Sequence, residues 1–184
     1  MQGNADAQCN LGVCYESGTG VGKDEQRATY WYELAAKQGH ARAQYNLGVC
    51  YENGRGVTKN EQKAAYWYEL SAKQGHARAQ CSLGVCYGNG ICVETDEKKA
   101  AYWFEQSAKQ GNAAAQYNLG ICYGFGKGVV KDEYKATYWF EQSAKQGYAD
   151  AQYNLGVSYD FGKGVAKDEH KAAYWYELAA KQGN

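Results

Sequence analysis

Apolar side chains in the first forty residues fall on two helical stripes. Ala7, Leu11, Cys14 and Tyr15 follow i, i+4, i+7, i+8 spacing, one face of a helix with about 3.6 residues per turn. This predicts a helix over roughly Ala5 to Ser17. Gly18 suits the left-handed position that ends such a helix, and Val21 gives the following turn an apolar anchor. Asp24 reads as the N-cap of a second helix, with Glu25 in its first turn, where the helix dipole favours a carboxylate. Ala28, Trp31, Tyr32 and Ala35 form the buried stripe of that helix; Lys37 sits in its last turn and Gly39 stops it.

The same pattern returns four more times. Leu-Gly recurs at 11, 47, 83, 119 and 155, Tyr-Trp at 30, 66, 102, 138 and 174, and Ala-Lys-Gln-Gly at 36, 72, 108, 144 and 180, all with a spacing of 36. The units run 4–39, 40–75, 76–111, 112–147 and 148–183, so residues 1–184 read as a single repeat domain. A helix hairpin of this size cannot bury its own faces, whereas stacked hairpins can. The fold class expected is all-α, an α/α solenoid of five helix-turn-helix repeats. Gly12 and Ala28, with their equivalents, mark where helix backbones approach, and Tyr15, Trp31 and Tyr32 fill the space around them. Residues left over at both ends suggest an array cut from a longer one, or a designed array. Apolar stacking surface near Ala7, Leu11, Tyr174 and Tyr176 is then expected to be exposed and to favour end-to-end self-association.

A unit reading Ala-x-Ala-Gln-x-x-Leu-Gly-x-x-Tyr-x-x-Gly-x-Gly-Val-x-x-Asp-x-x-x-Ala-x-x-Trp-x-x-x-Ala-Ala-x-x-Gly resembles the Sel-1-like repeat (SLR), a relative of the tetratricopeptide repeat. Residues 5–39 match it almost throughout, and the match covers the chain five times. The resemblance implies a right-handed superhelix in which one helix of each pair lines a concave groove. It also implies a scaffold or adaptor that holds protein partners and carries no general catalytic motif. Repeat three departs from the pattern: in Gly88-Asn89-Gly90-Ile91-Cys92-Val93 a cysteine replaces the second turn glycine. If that glycine needs a positive φ, the turn over 88–95 should differ from its four counterparts.

Function in a solenoid sits on faces not used for stacking. A second stripe on the first helix, Asp6, Cys9, Asn10, Val13 and Glu16, varies between repeats where the stacking positions hardly do. Its first column reads Asp6, Arg42, Arg78, Ala114, Asp150, its second Cys9, Tyr45, Cys81, Tyr117, Tyr153, and its last Glu16, Glu52, Gly88, Gly124, Asp160. Such variation fits a specificity surface, and it equally fits a free one. Asn10, Asn46, Asn118 and Asn154 offer donors and acceptors that can hold an extended peptide backbone; the alternative is that they bridge adjacent first helices and satisfy one another. Tyr45, Tyr117 and Tyr153 offer rigid contact surface. Arg42 and Arg78 are placed to pair an acidic partner group or a terminal carboxylate, or else to pair with Glu52 or Asp6. The candidate partner-binding set is therefore Asp6, Cys9, Asn10, Arg42, Tyr45, Asn46, Arg78, Tyr117, Asn118, Asp150, Tyr153 and Asn154.

Composition narrows the function classes. Lys+Arg and Asp+Glu number 20 each, so the chain lacks the basic excess that drives phosphate-backbone or anionic-lipid binding. Charge is uneven locally: repeat one carries 3 basic and 5 acidic residues, repeat two 5 and 3. Seven cysteines show no C-x-x-C pair and no Cys/His ligand cluster, and Leu34-Ala35-Ala36-Lys37 lacks the cysteine by which some secreted bacterial SLR proteins bridge their two helices. Free thiols used as small core residues fit a reducing compartment; Cys92 is the one expected to be accessible. His40 and His76 read as helix caps or surface residues, and His170 lies on a second helix. The Gly-x-Gly-Val turns join two helices and lack the ending of a phosphate loop. The N-terminus has neither a basic n-region nor an apolar h-region, and a cytoplasmic setting is expected. These features point to a non-enzymatic scaffold without metal or cofactor, binding a protein or extended peptide along the first-helix groove and neither nucleic acid nor membrane. The alternative is a cell-envelope or peptidoglycan-fragment-binding factor of bacterial SLR type.

Overall fold

Asx side chains start most of the helices. The computed structural model describes residues 3–90 and 93–182. Among them are ten helices and no strand: α1 (Ala5–Ser17), α2 (Glu25–Lys37), α3 (Ala41–Asn53), α4 (Glu61–Lys73), α5 (Ala77–Asn89), α6 (Glu97–Lys109), α7 (Ala113–Phe125), α8 (Glu133–Lys145), α9 (Ala149–Phe161) and α10 (Glu169–Ala180). The second helix of every repeat opens on Asp24, Asn60, Asp96, Asp132 or Asp168, whose side chain accepts the N–H three residues on. The first helix ends as expected, with Gly18 at φ 77° and its N–H bonded to the Cys14 carbonyl. None of these helices is long and apolar enough to cross a membrane.

The chain divides into two compact units, Met1–Thr95 and Asp96–Asn184. The first holds α1 to α5 and the second α6 to α10, each a helical solenoid segment in which successive helices pack against one another. Tyr32, Tyr68 and Leu47 are fully buried in the first unit, and Leu119 and Leu155 are buried in the second. The predicted backbone approach is present: a Cβ on Gly12 would lie 2.5 Å from the Tyr32 ring and 3.2 Å from the Ala28 carbonyl oxygen.

Two contacts join consecutive repeats. Gln44 Nε2 on α3 donates to the Ala36 carbonyl at the end of α2 (3.1 Å), and its Oε1 accepts from Gln74 Nε2 at the end of α4 (2.7 Å). Gln152 on α9 repeats this, donating to Ala144 (3.3 Å) and accepting from Gln182 (2.8 Å). These buried amides satisfy carbonyls that a helix C-terminus leaves without partners. The other contact is a turn: Gly56 has φ 67°, and a Cβ there would lie 2.0 Å from the Glu25 carbonyl oxygen on α2. Gly20, Gly128 and Gly164 share the positive φ. Of the turn over 88–95 expected to differ, residues 91–92 lie outside the described residues; Gly90 within it keeps the positive φ of its counterparts, 66° against 77° at Gly18 and 71° at Gly54.

The expected exposure near the two ends holds for three of its four residues. Ala7 is exposed and Leu11 and Tyr176 are half-buried, whereas Ala43, Leu47 and Tyr68 at the same positions are buried. Tyr174 is a correction. It is 55% exposed, but Tyr30, Tyr66 and Tyr138 are 53–56% exposed too, because this position points outward in every repeat and rests edge-on against its neighbouring Trp.

First-helix caps vary, with a consequence for pH. Asn4 and Asn112 cap through Oδ1, His40 and His76 through Nδ1 (3.1 and 3.3 Å to the Ala43 and Ala79 nitrogens), and Tyr148 makes no side-chain cap. His76 is half-buried against the Tyr45 ring. Burial, then Arg78, Arg42 and His40, push its pKa below the usual 6.5. The unfolded chain therefore takes up the proton at higher pH than the folded one. The stabilising contribution is complete above about pH 6.5 and is lost as pH falls toward the folded pKa. Thermal melts from pH 7.5 down to 5.5 should show the wild type losing more stability than His76→Asn, which keeps a cap that does not titrate. Parallel curves would refute this.

Candidate functional site

The first-helix face in the unit of α1, α3 and α5 is polar and mostly engaged. Asp6 Oδ1 accepts from His40 Nε2 at 3.0 Å, which fits a ring whose Nδ1 is occupied as a cap. Arg42 reaches back across the junction, donating through Nε to Cys9 Sγ (3.3 Å) and through Nη2 to Asn10 Oδ1. Neither of the pairings considered for Arg42 forms: Asp6 goes to His40, and Glu52 accepts the Tyr68 hydroxyl at 2.8 Å. Cys9 is a correction, since it is fully buried beneath Arg42 and cannot line a surface.

Tyr45 is half-buried between Tyr68 (5.8 Å between ring centroids) and His76 (4.9 Å). Burial raises its pKa, and Arg78 opposes the rise. Its ring thus packs at the junction of repeats two and three. Arg78 is exposed and Asn46 half-buried; neither side chain has a hydrogen-bond or ion-pair partner among the described residues.

In the unit of α7 and α9, Tyr117 sits between Phe140 (6.0 Å) and Tyr148 (5.3 Å), while Tyr153 is 54% exposed beside Tyr176. Asn118 and Asn154 do not bridge neighbouring asparagines. Each donates its amide N–H one turn back on its own helix, to the Ala114 and Asp150 carbonyls at 2.9 Å, leaving Oδ1 free of that bond. Asp150 is exposed. No group of three or more His, Cys, Asp or Glu side chains is arranged to hold a metal ion among the described residues. Cys50, Cys81 and Cys122 are buried free thiols, and burial pushes Cys81 and Cys122 up to about 11.

Comparison with known proteins identifies the architecture. The Sel1 repeat matches residues 5–40, 41–76, 77–112, 113–148 and 149–184. The chain belongs to the Sel1 repeat family. A Sel1 repeat protein from Oxalobacter formigenes is 38% identical with a TM-score of 0.93, over 100% of this chain and 73% of that one. A protective antigen of uropathogenic Escherichia coli with an SLR fold is 39% identical with a TM-score of 0.91, and this chain spans 39% of its length. An immunity protein from Pseudomonas aeruginosa is 27% identical with a TM-score of 0.59, over 98% of this chain and 65% of that one. No curated protein matches. Sel1 repeat proteins are helical repeat scaffolds that generally mediate protein interactions and are typically non-enzymatic.

Within this Sel1 array one pair of columns changes together. In repeats one and two Tyr32 and Tyr68 donate their hydroxyls to Glu16 (2.7 Å) and Glu52 (2.8 Å), and in repeat five Tyr176 does so to Asp160 (3.4 Å). Repeats three and four carry Gly88 with Phe104 and Gly124 with Phe140, so acid and hydroxyl disappear as a pair. A hydroxyl on a buried ring is costly to leave without its acceptor, which explains why the tyrosine changes together with the acid. Variation at Glu16, Glu52, Gly88, Gly124 and Asp160 was visible in the sequence. The signal overlooked was the matching change 16 residues further on.

Proposed function

We propose that this Sel1 repeat protein is a non-enzymatic scaffold that holds a protein or extended peptide along its first-helix face. The observation carrying this is that Asn46 and Arg78 stand on that face without a hydrogen-bond or ion-pair partner among the described residues, one half-buried and one exposed, while Asp6, Asn10, Arg42 and His40 on the same face are engaged. An amide offers both a donor and an acceptor to a peptide backbone, and a guanidinium offers a fork to a carboxylate. The half-buried Tyr45, next to Asn46 in the chain, adds rigid contact surface.

Peptides selected from a display library on the whole chain test this. Those bound at the face should lose at least about tenfold in affinity on Asn46→Ala with Arg78→Ala, an effect of about 1.4 kcal/mol or more, at unchanged melting temperature. Selected peptides whose binding ignores both substitutions would overturn the assignment.

A further inference from the structure

The loss of the acid–hydroxyl pair in repeat four leaves a recognisable vacancy in the design. At the junction of repeats one and two, Glu16 is held from two sides: Tyr32 donates to it at 2.7 Å, and Arg55 Nη1 from the next repeat lies 3.6 Å away. Arg55 is positioned by Thr29, whose hydroxyl donates to the Arg55 carbonyl at 2.9 Å. At the junction of repeats four and five the same frame is built. Thr137 donates to the Lys163 carbonyl at 2.8 Å, so Lys163 takes the place of Arg55. The carboxylate between them is gone, because Gly124 stands where Glu16 does and Phe140 where Tyr32 does.

A cavity of about 280 Å³ occupies that place, lined by Gly124, Phe125, Ala136, Phe140, Val157 and Lys163 among others. Its wall is mostly apolar, with Thr137, Asn154 and Ser158 as polar groups, and Lys163 in it has no carboxylate partner among the described residues. Lys163 instead lies over the Phe161 ring, 5.5 Å from its centroid. Of the other charges lining the cavity, Glu133 is neutralised by Lys131 at 3.0 Å, leaving Lys163 in excess. Phe125 is 72% exposed and Phe161 67%, at a position where repeats one to three carry Ser17, Asn53 and Asn89. The size is slightly below that of ligand pockets, which run about 300–1,000 Å³, and suits one side chain rather than a large cofactor.

We propose that this cavity binds a carboxylate carried on an apolar group, an external substitute for the missing glutamate. The apolar part packs on Phe140, Phe125 and Val157, and the carboxylate meets Lys163 as Glu16 meets Arg55. A peptide terminus with an apolar last residue and an internal glutamate beside a phenylalanine share this chemistry. Asn154 lines the cavity, but Asn46 and Arg78 lie in the other unit, so the site stands or falls independently of the first-helix reading.

Three probes test it by titration against the whole chain: acetyl-Gly-Gly-Ala-Phe with a free C-terminus, its C-terminal amide, and amidated acetyl-Gly-Phe-Glu-Gly. At least one carboxylate probe should bind and shift the resonances of Phe140 and Val157, while the amide binds at least about tenfold more weakly. Which of the two binds identifies the source of the carboxylate. Lys163→Gln should weaken binding severalfold. Gly124→Glu with Phe140→Tyr installs the internal occupant of repeats one and two. A Cβ at Gly124 meets only the Ala136 Cβ, at an ordinary 3.7 Å, so this variant should fold with an unchanged or higher melting temperature and lose binding. Equal binding of acid and amide, retained binding by the doubly substituted chain, or no binding of either carboxylate probe at millimolar concentration would each overturn the proposal.

Discussion

Alanine at Gly56 is expected to lower unfolding stability by about 2–5 kcal/mol, where alanine at Gly20 costs about 1–2 kcal/mol. Both glycines have a positive φ, 67° and 75°, so both substitutions incur the left-handed penalty of an L-residue. They differ in what the new methyl meets. At Gly20 nothing lies within 4 Å, whereas at Gly56 the methyl would sit 2.0 Å from the Glu25 carbonyl oxygen and 2.7 Å from Thr29 Oγ1. Backbone cannot step aside as a side chain can, so the turn must leave α2 or distort. Denaturant titrations of the two variants separate the terms, and equal losses would show that the close approach contributes nothing. Gly164, 2.1 Å by the same construction from the Glu133 carbonyl oxygen, should behave like Gly56 in the other unit.

Truncating Tyr68 to alanine should cost about 3–5 kcal/mol, the range for emptying a large aromatic site. The ring is fully buried, closing on Gly48, where a Cβ would lie 2.6 Å away, and on Tyr45. No other side chain can fill that space without a shift of α3 against α4. Tyr68→Phe should cost only about 1 kcal/mol, since Glu52 is exposed and turns to water once its hydroxyl donor is gone. The proper partner of that change is Glu52→Gly, the combination found in repeat four. A double-mutant cycle on Glu52 and Tyr68 should therefore show coupling, and strict additivity would refute the pairing.

Helix boundaries and caps were legible because they depend on neighbours a few residues apart. Asp24 starts α2 and Gly18 ends α1 as their chemistry dictates. Side chains settled by the next repeat were not legible from one helix. Cys9 shares a column with Tyr45 and looked like surface, yet Arg42, 33 residues on, covers it. Gln44 stood in every copy of the pattern without an evident role, because its partners are 8 and 30 residues away and helical periodicity is blind to them. Repeat comparison did expose the Glu16 column, but variation read one column at a time resembles a free surface. Only the companion column of Tyr32, Phe104 and Phe140 turns it into a matched set.

The glutamine contacts have a consequence for how such an array can grow. Gln44 and Gln152 make the same bonds at the same sequence offsets, 8 residues back and 30 residues on, in different parts of the chain. Within a unit, a copied or excised stretch of 36 residues would meet its new neighbours through groups already in the right place. Length is then heritable in whole modules, each duplication carrying either a sealed acid–tyrosine pair or an open Gly–Phe one. A lineage could thus multiply or move such open places along its array without inventing a new interface.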